Sequence, residues 1–140
     1  MIDKGVFLSI KPEFVTLISQ KQKNYEFRKY IPNIQPHVVI IYTTSPVCEI
    51  RYIATIDTIT AYPSHIPENG YGNAEFNEGK KKSRFAYHID KLFELLDPID
   101  LSTLRTNYAF YPPQSYAYCT RYAELTDYIS QLPKKLIWTD

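Results

Sequence analysis

The sequence predicts an α+β domain: a small β-barrel of about five or six strands, with one helix after the first strand and another at the C-terminus. Three observations carry this expectation. Residues 24–30, 48–60 and 84–96 alternate apolar and polar side chains, the period of a half-buried strand. Tyrosine occupies 13 of the 140 positions, and it favours strands and surfaces that are apolar at one end and wet at the other. The elements run strand, helix and then a series of strands, which suits α+β or a small closed barrel rather than a doubly wound parallel sheet.

Residues 5–10 read as a short buried strand. Pro12 then suits the first turn of a helix, and Phe14, Leu17 and Ile18 recur at helical spacing to about Lys21. In residues 24–30, Tyr25 and Phe27 point one way, Glu26 and Arg28 the other. Pro32 and Pro36 bound the next loop. Residues 38–42 are apolar on both faces, as in a central strand. Residues 48–60 form a long strand expected to bend, with Ile50, Tyr52, Ala54 and Ile56 on one face. Residues 62–83 hold Pro63, Pro67, most of the glycine and three consecutive lysines. They read as an excursion with at most one short helix. Strand character resumes over 84–96, with Phe85, Tyr87 and Ile89 on one face. Pro98, Pro112 and Pro113 punctuate the region after it, and Tyr116 and Tyr118 suggest one more short strand. The chain closes on an amphipathic helix with Tyr122, Leu125, Ile129 and Leu132 on one side.

Length and composition fit one domain over 1–140, without repeats or linkers. Hydrophobic residues make up 44%, charged residues 22%, and the net charge is +1. A non-specific nucleic-acid binder is usually far more basic, so any nucleic-acid contact must come from a local patch. Asp3 and Lys4 precede only a short apolar run, so no signal peptide is expected, and no stretch approaches the roughly 20 apolar residues of a membrane span. These features predict a cytoplasmic protein, with Cys48 and Cys119 as thiols. His37, His65 and His88 share no ligand spacing, so neither a metal nor a cofactor is expected.

The candidate site is Lys23-Asn24-Tyr25-Glu26-Phe27-Arg28. Glu26 and Arg28 project from one strand face, and Lys23 can swing toward them from the joint. Three such charges facing one groove shift one another's pKa values, although a Glu-x-Arg pair on a strand is more often a solvated ion pair. A second candidate is the basic run Lys80, Lys81, Lys82 and Arg84, suited to backbone phosphates and extendable by Lys11 and Lys29. A third is the set Tyr108, Phe110, Tyr111, Tyr116 and Tyr118, which could stack unpaired bases. Tyr42, Thr43, Thr44 and Ser45 could bring hydroxyls to the cleft.

Leu8-Ser9-Ile10-Lys11-Pro12, then a helix, then Lys23-x-x-Glu26-x-Arg28 resembles the signature of the ASCH family, Gly-x-Lys-x-x-Glu-x-Arg. Lys21 stands where that signature has glycine. Tyr42–Val47, Gly79–Lys81, Ala86–Ile89 and Pro112–Tyr116 are also similar to a subset of the family, and the resemblance covers roughly residues 5–120. It implies a PUA-like barrel with a helix across one opening. It also implies RNA or coactivator-type partners in a cleft holding Lys23, Glu26 and Arg28. Lys11, Thr44 and Ser45 are the further ligand contacts expected from the residues themselves. One branch of the family hydrolyses the amide of N4-acetylcytidine. This chain matches that branch at Lys23 and Arg28 but has Glu26 where the branch has threonine. The branch's downstream glutamate has no assigned counterpart; Glu68, Glu75 and Glu78, all in the excursion, are the open alternatives. The leading expectation is an RNA-binding module taking a modified or flipped base. The alternative is a small hydrolase or nuclease with Lys23 as base and Glu26 as proton carrier, and a third reading is a protein-interaction domain.

Overall fold

The computed structural model describes residues 5–140; Asp3 and Lys4, on which the N-terminal expectation rests, lie outside them. Strand β1 (Val6–Ile10) leads into helix α1 (Pro12–Ser19), with Pro12 in the first turn, where a missing N–H costs nothing. The helix ends in a turn at Lys21, which takes φ 60°. That is the left-handed conformation a glycine adopts most cheaply, and Lys21 adopts it here at the position where the signature has glycine. Strand β2 (Tyr25–Arg28) follows, then β3 (Val38–Thr43) and β4 (Glu49–Ala61). The excursion holds one short helix, α2 (Asn73–Asn77), and returns as β5 (Phe85–Asp100).

Beyond β5 the structure departs from the sequence expectation. The strand continues through Pro98 to Asp100 and turns directly into α3 (Leu101–Tyr108), an element that the residue pattern did not predict. Asp100 caps α3, its side chain accepting a hydrogen bond from the Thr103 amide at 2.9 Å. The two-residue strand β6 (Ala117–Tyr118) and a 3₁₀ turn lead to α4 (Ala123–Gln131). The chain does not end on that helix. It finishes as strand β7 (Lys134–Thr139).

Among the described residues the sheet therefore has seven strands, not five or six, and it is not a closed barrel. Its order is β2-β5-β4-β3-β1-β6, with β7 on β5 beyond β2. Among the described residues only β1 and β3 pair in parallel. No pairing joins β2 to β1 among the described residues. The prolines supply a physical reason. Pro32 and Pro36 follow β2, Pro112 and Pro113 precede β6, and neither flank can donate a continuous ladder of N–H groups.

Both faces of this sheet are covered. Val6, Leu8, Ile10, Val39 and Ile41 pack with Val15 and Ile18 of α1. Phe7, Ile40 and Tyr42 pack on the other face with Leu104, Phe110, Leu125 and Ile129. That explains strands apolar on both sides. The expectation that Ile50 shares a face with Ala54 and Ile56 is overturned. A register shift between Ile50 and Tyr52 sends Ile50 to the α3–α4 side and leaves Ala54 and Ile56 on the α1 side.

Candidate functional site

The gap between β2 and β1 is where the side chains gather. A pocket of about 380 Å³ opens there, lined by Leu8 of β1, Phe27 and Arg28 of β2, Tyr87 of β5, and Ser115 and Tyr116 ahead of β6. Lys29, Tyr30, Ser83 and Gln114 complete its rim. Side chains do the bridging that backbone pairing leaves undone. The Arg28 guanidinium donates to the carbonyls of Ser9 at 3.0 Å and Ser115 at 3.4 Å. The Ser9 hydroxyl donates to Pro113 O at 2.7 Å, and the Tyr87 hydroxyl donates to Tyr30 O at 2.8 Å. Burial pushes the Tyr87 phenol up to about 12, so it remains a donor throughout the physiological range.

The charged trio forms a chain through one carboxylate. Glu26 Oε2 accepts from Arg28 Nε at 2.9 Å, and Glu26 Oε1 lies 3.6 Å from Lys23 Nζ. Lys23 is only 4% exposed and donates to Tyr25 O at 2.6 Å. This is not a solvated ion pair. Burial lowers the Lys23 pKa below its usual value; Glu26 opposes that, while Lys81 and Arg28 add to it. Lys81 reaches the same place from the excursion. Its Nζ sits 4.6 Å from the centre of the Phe27 ring, and Lys23 Nζ sits 4.4 Å from it. Gly72, at φ 84°, makes room for Lys81, because a Cβ there would come within 3.0 Å of Lys81 Cε and of Phe27.

Of the residues singled out in the sequence, the structure gathers Lys23, Glu26, Arg28 and Lys81 into one charged cluster, while Arg28, Lys29 and Tyr116 line the pocket, which Lys23, Glu26 and Lys81 do not. Lys11 is exposed at the start of α1, and Thr44 and Ser45 lie in the β3–β4 turn; none of the three lines the pocket. The basic run splits up. Lys80 pairs with Glu78 at 3.5 Å, Arg84 lies over Tyr62, and Lys82 is exposed. Tyr42 and Phe110 are core residues, while Tyr108 stacks on Tyr128 away from the pocket. Glu68 accepts from Asn77 and Glu75 is exposed. Sequence reasoning did not single out Leu8, Tyr30, Ser83, Tyr87, Gln114 and Ser115 as site residues. A signal existed for most of them, because Leu8, Tyr87, Gln114 and Ser115 fall within stretches that carry the ASCH resemblance.

No protein-family model and no curated protein matches the sequence. Solved structures do match. The ASCH protein of Zymomonas mobilis is 24% identical, with a TM-score of 0.68, over 94% of this chain and 97% of that one. A serine-to-alanine variant of it is 23% identical, with a TM-score of 0.73, over 94% and 98% of the two chains. A tyrosine-to-phenylalanine variant is 23% identical, with a TM-score of 0.72, over 93% and 99%. The resemblance read from Lys23-x-x-Glu26-x-Arg28 is thus matched by nearly the whole chain: this protein has the ASCH fold.

Proposed function

We propose that the chain is a nucleic-acid-associated module that takes an unpaired base of RNA, or a modified nucleoside, in the pocket between β1 and β2. The observation that carries this is the composition of that pocket. Phe27, Tyr87 and Tyr116 offer aromatic surface, and Arg28 offers a fixed guanidinium, in a volume suited to a small planar ligand. Charge supports the same reading. Lys23 and Arg28 both pair with Glu26, and Lys81 lies close enough to Lys23 to lower its pKa, which leaves cationic charge for a phosphate to neutralise. In this reading residues 1–140 act as one domain, and the contact is local, as a net charge of +1 requires.

Fluorescence anisotropy with a single-stranded oligoribonucleotide tests it. Tyr116→Ala should weaken binding by about 1–3 kcal/mol, the value of one stacked base. Lys81→Ala should weaken binding and lower the salt slope by about 0.7, one phosphate's share on a single strand. Lys80→Ala should do less, because Glu78 already pairs with that lysine. Wild-type affinity in both Tyr116→Ala and Lys81→Ala would sink the proposal.

One observation favours turnover as a second reading. A buried lysine with a lowered pKa beside a carboxylate is equipped to accept a proton. Steady hydrolysis of N4-acetylcytidine or of an oligoribonucleotide by the wild type, abolished in Lys23→Ala, would establish an enzyme. Binding without consumption would leave the module reading.

A further inference from the structure

His88 lies outside the pocket and is held between two carboxylates. Its Nδ1 is 2.6 Å from Asp57 Oδ1, and its Nε2 is 2.6 Å from Asp140 Oδ2. Asp57 comes from β4 and Asp140 follows β7, so the ring joins two elements that flank β5. Asp140 Oδ2 also accepts from Asn24 Nδ2 at 3.2 Å. Asn24 adjoins Lys23 and grips the excursion. Its Nδ2 donates to Asn69 Oδ1 at 3.1 Å, and its Oδ1 accepts from Asn73 Nδ2 at 3.2 Å. Gly70 lies so close that a Cβ there would collide with Asn24 Oδ1. The Tyr71 amide completes the attachment by donating to Gln22 O at 2.8 Å. The same excursion delivers Lys81 to Phe27 and Lys23.

We infer that Asp57, His88, Asp140 and Asn24 form a proton-operated latch, which holds the excursion against the cleft when His88 is protonated and loosens it as pH rises. Its effect on ligand binding rests on the function proposed above; the latch itself does not.

The chemistry is that of the imidazole. Two carboxylate oxygens at opposite ring nitrogens need an N–H at both, and only the imidazolium has both. Once neutral, the ring turns a lone pair toward one carboxylate, and that contact becomes repulsive. Asp57 has water as a substitute, being exposed. Asp140 is more enclosed and carries the connection to Asn24. The other groups facing this cluster are Tyr25 of β2, whose ring centre is 4.9 Å from that of His88, and Lys21, whose Nζ is 3.6 Å from Asp140 Oδ1. Lys21 supports the ionised Asp140. Burial works against the charged His88 ring, but the hydrogen bonds to Asp140 and Asp57 outweigh it, so its pKa lies above the usual 6.5. The stabilisation is therefore complete below 6.5 and is lost as pH rises through the raised folded value. Between the two values, one proton makes opening easier by up to about tenfold per pH unit.

Amide hydrogen exchange on the free protein, corrected for intrinsic rates, tests the latch without any nucleic acid. The protection factors of the Tyr71, Asn73 and Asp140 amides should fall by up to about tenfold per pH unit above 6.5 in the wild type. They should be insensitive to pH in His88→Gln. Asp140→Asn serves as a second variant, with circular dichroism confirming that both fold. The His88 ring, followed by NMR in the wild type, should titrate above 6.5. A His88 titration at or below 6.5, or the same pH profile in wild type and His88→Gln, would overturn the proposal. Oligoribonucleotide affinity adds the regulatory arm: it should fall between pH 6 and pH 8 more in the wild type than in His88→Gln. Equal falls would overturn the coupling to the cleft, whereas no binding at any pH would overturn the proposed function and leave the exchange result standing.

Discussion

Among the described residues Glu26 is the one carboxylate paired with both Lys23 and Arg28, and removing it should cost more than removing either cation's charge. In Glu26→Gln the buried Lys23 ammonium loses its counter-charge, and breaking a buried pair this way costs about 3 kcal/mol or more. In Lys23→Met the carboxylate keeps Arg28, and the thioether fills the space against Phe14 and Phe27, so the loss should stay below about 1 kcal/mol. Urea denaturation of the two variants compares them directly, and equal losses would show that Lys23 is not held as an ammonium by Glu26. A second residue-scale test lies at Gly72. Gly72→Ala meets both the left-handed backbone and the Lys81–Phe27 contact, so it should cost about 1–2 kcal/mol from the backbone alone. It should also displace Lys81. Nucleotide affinity therefore should fall with stability, whereas an unchanged affinity would place Lys81 outside the ligand's reach.

Among the elements, β2 and β6 matter because they are short. Four residues and two residues cannot meet across the opening, and Arg28 spans what they leave. Lengthening either strand would close the pocket rather than strengthen it. The helix α3 shows how one cap can set a boundary. Asp100 ends a 16-residue strand and starts an 8-residue helix in the same step. Its carboxyl is held below the usual range by hydrogen bonds from the Thr103 side chain and backbone. A depressed carboxylate stabilises above its unfolded value of 3.8 and loses that contribution as pH falls through the folded one. Asp100→Ala should accordingly lower the thermal midpoint at pH 7, and the gap from wild type should shrink below pH 3.8. A gap that persists at low pH would mean that the charge on the carboxylate contributes little to the cap.

At the scale of the whole molecule, one sheet carries a large core on each face, with a smaller cluster of Tyr25, Ile66, Phe76 and Ala86 under the excursion. The α1 side holds Trp138, the chain's single tryptophan, whose Nε1 donates to Ile18 O at 2.8 Å. The α3–α4 side holds Phe110, fully buried against Phe7 and Tyr122. Both sides share the backbone of β1, β3, β4 and β5, so neither can lose its packing without disturbing the other's strands. Phe110→Ala should cost about 3–5 kcal/mol. The Trp138 fluorescence transition and the far-UV circular dichroism transition should shift together, as a two-state domain requires. If fluorescence keeps its wild-type midpoint while dichroism moves, the two cores unfold separately.

Periodicity by itself determined β1, α1, β2 and β3, because their side-chain pattern is local and unambiguous. Strand spacing likewise put Glu26 and Arg28 on one face, whereas Lys23, at the joint before the strand, joined them as a candidate through its nearness in the chain and the ASCH resemblance. Three things were decided only by tertiary structure. The first is the opening of the barrel, since strand closure depends on pairing between residues far apart in sequence, such as Arg28 with Ser9 and Ser115. The second is the division of the basic run, where Gly72 and Phe27 select Lys81 from its neighbours. The third is the ring of His88, whose lack of any metal-ligand spacing was visible in the sequence. Its partners Asp57 and Asp140 lie 31 and 52 positions away, and no local pattern relates them. Short-range periodicity dictates which face a side chain takes; only the closing of long loops dictates what it meets there.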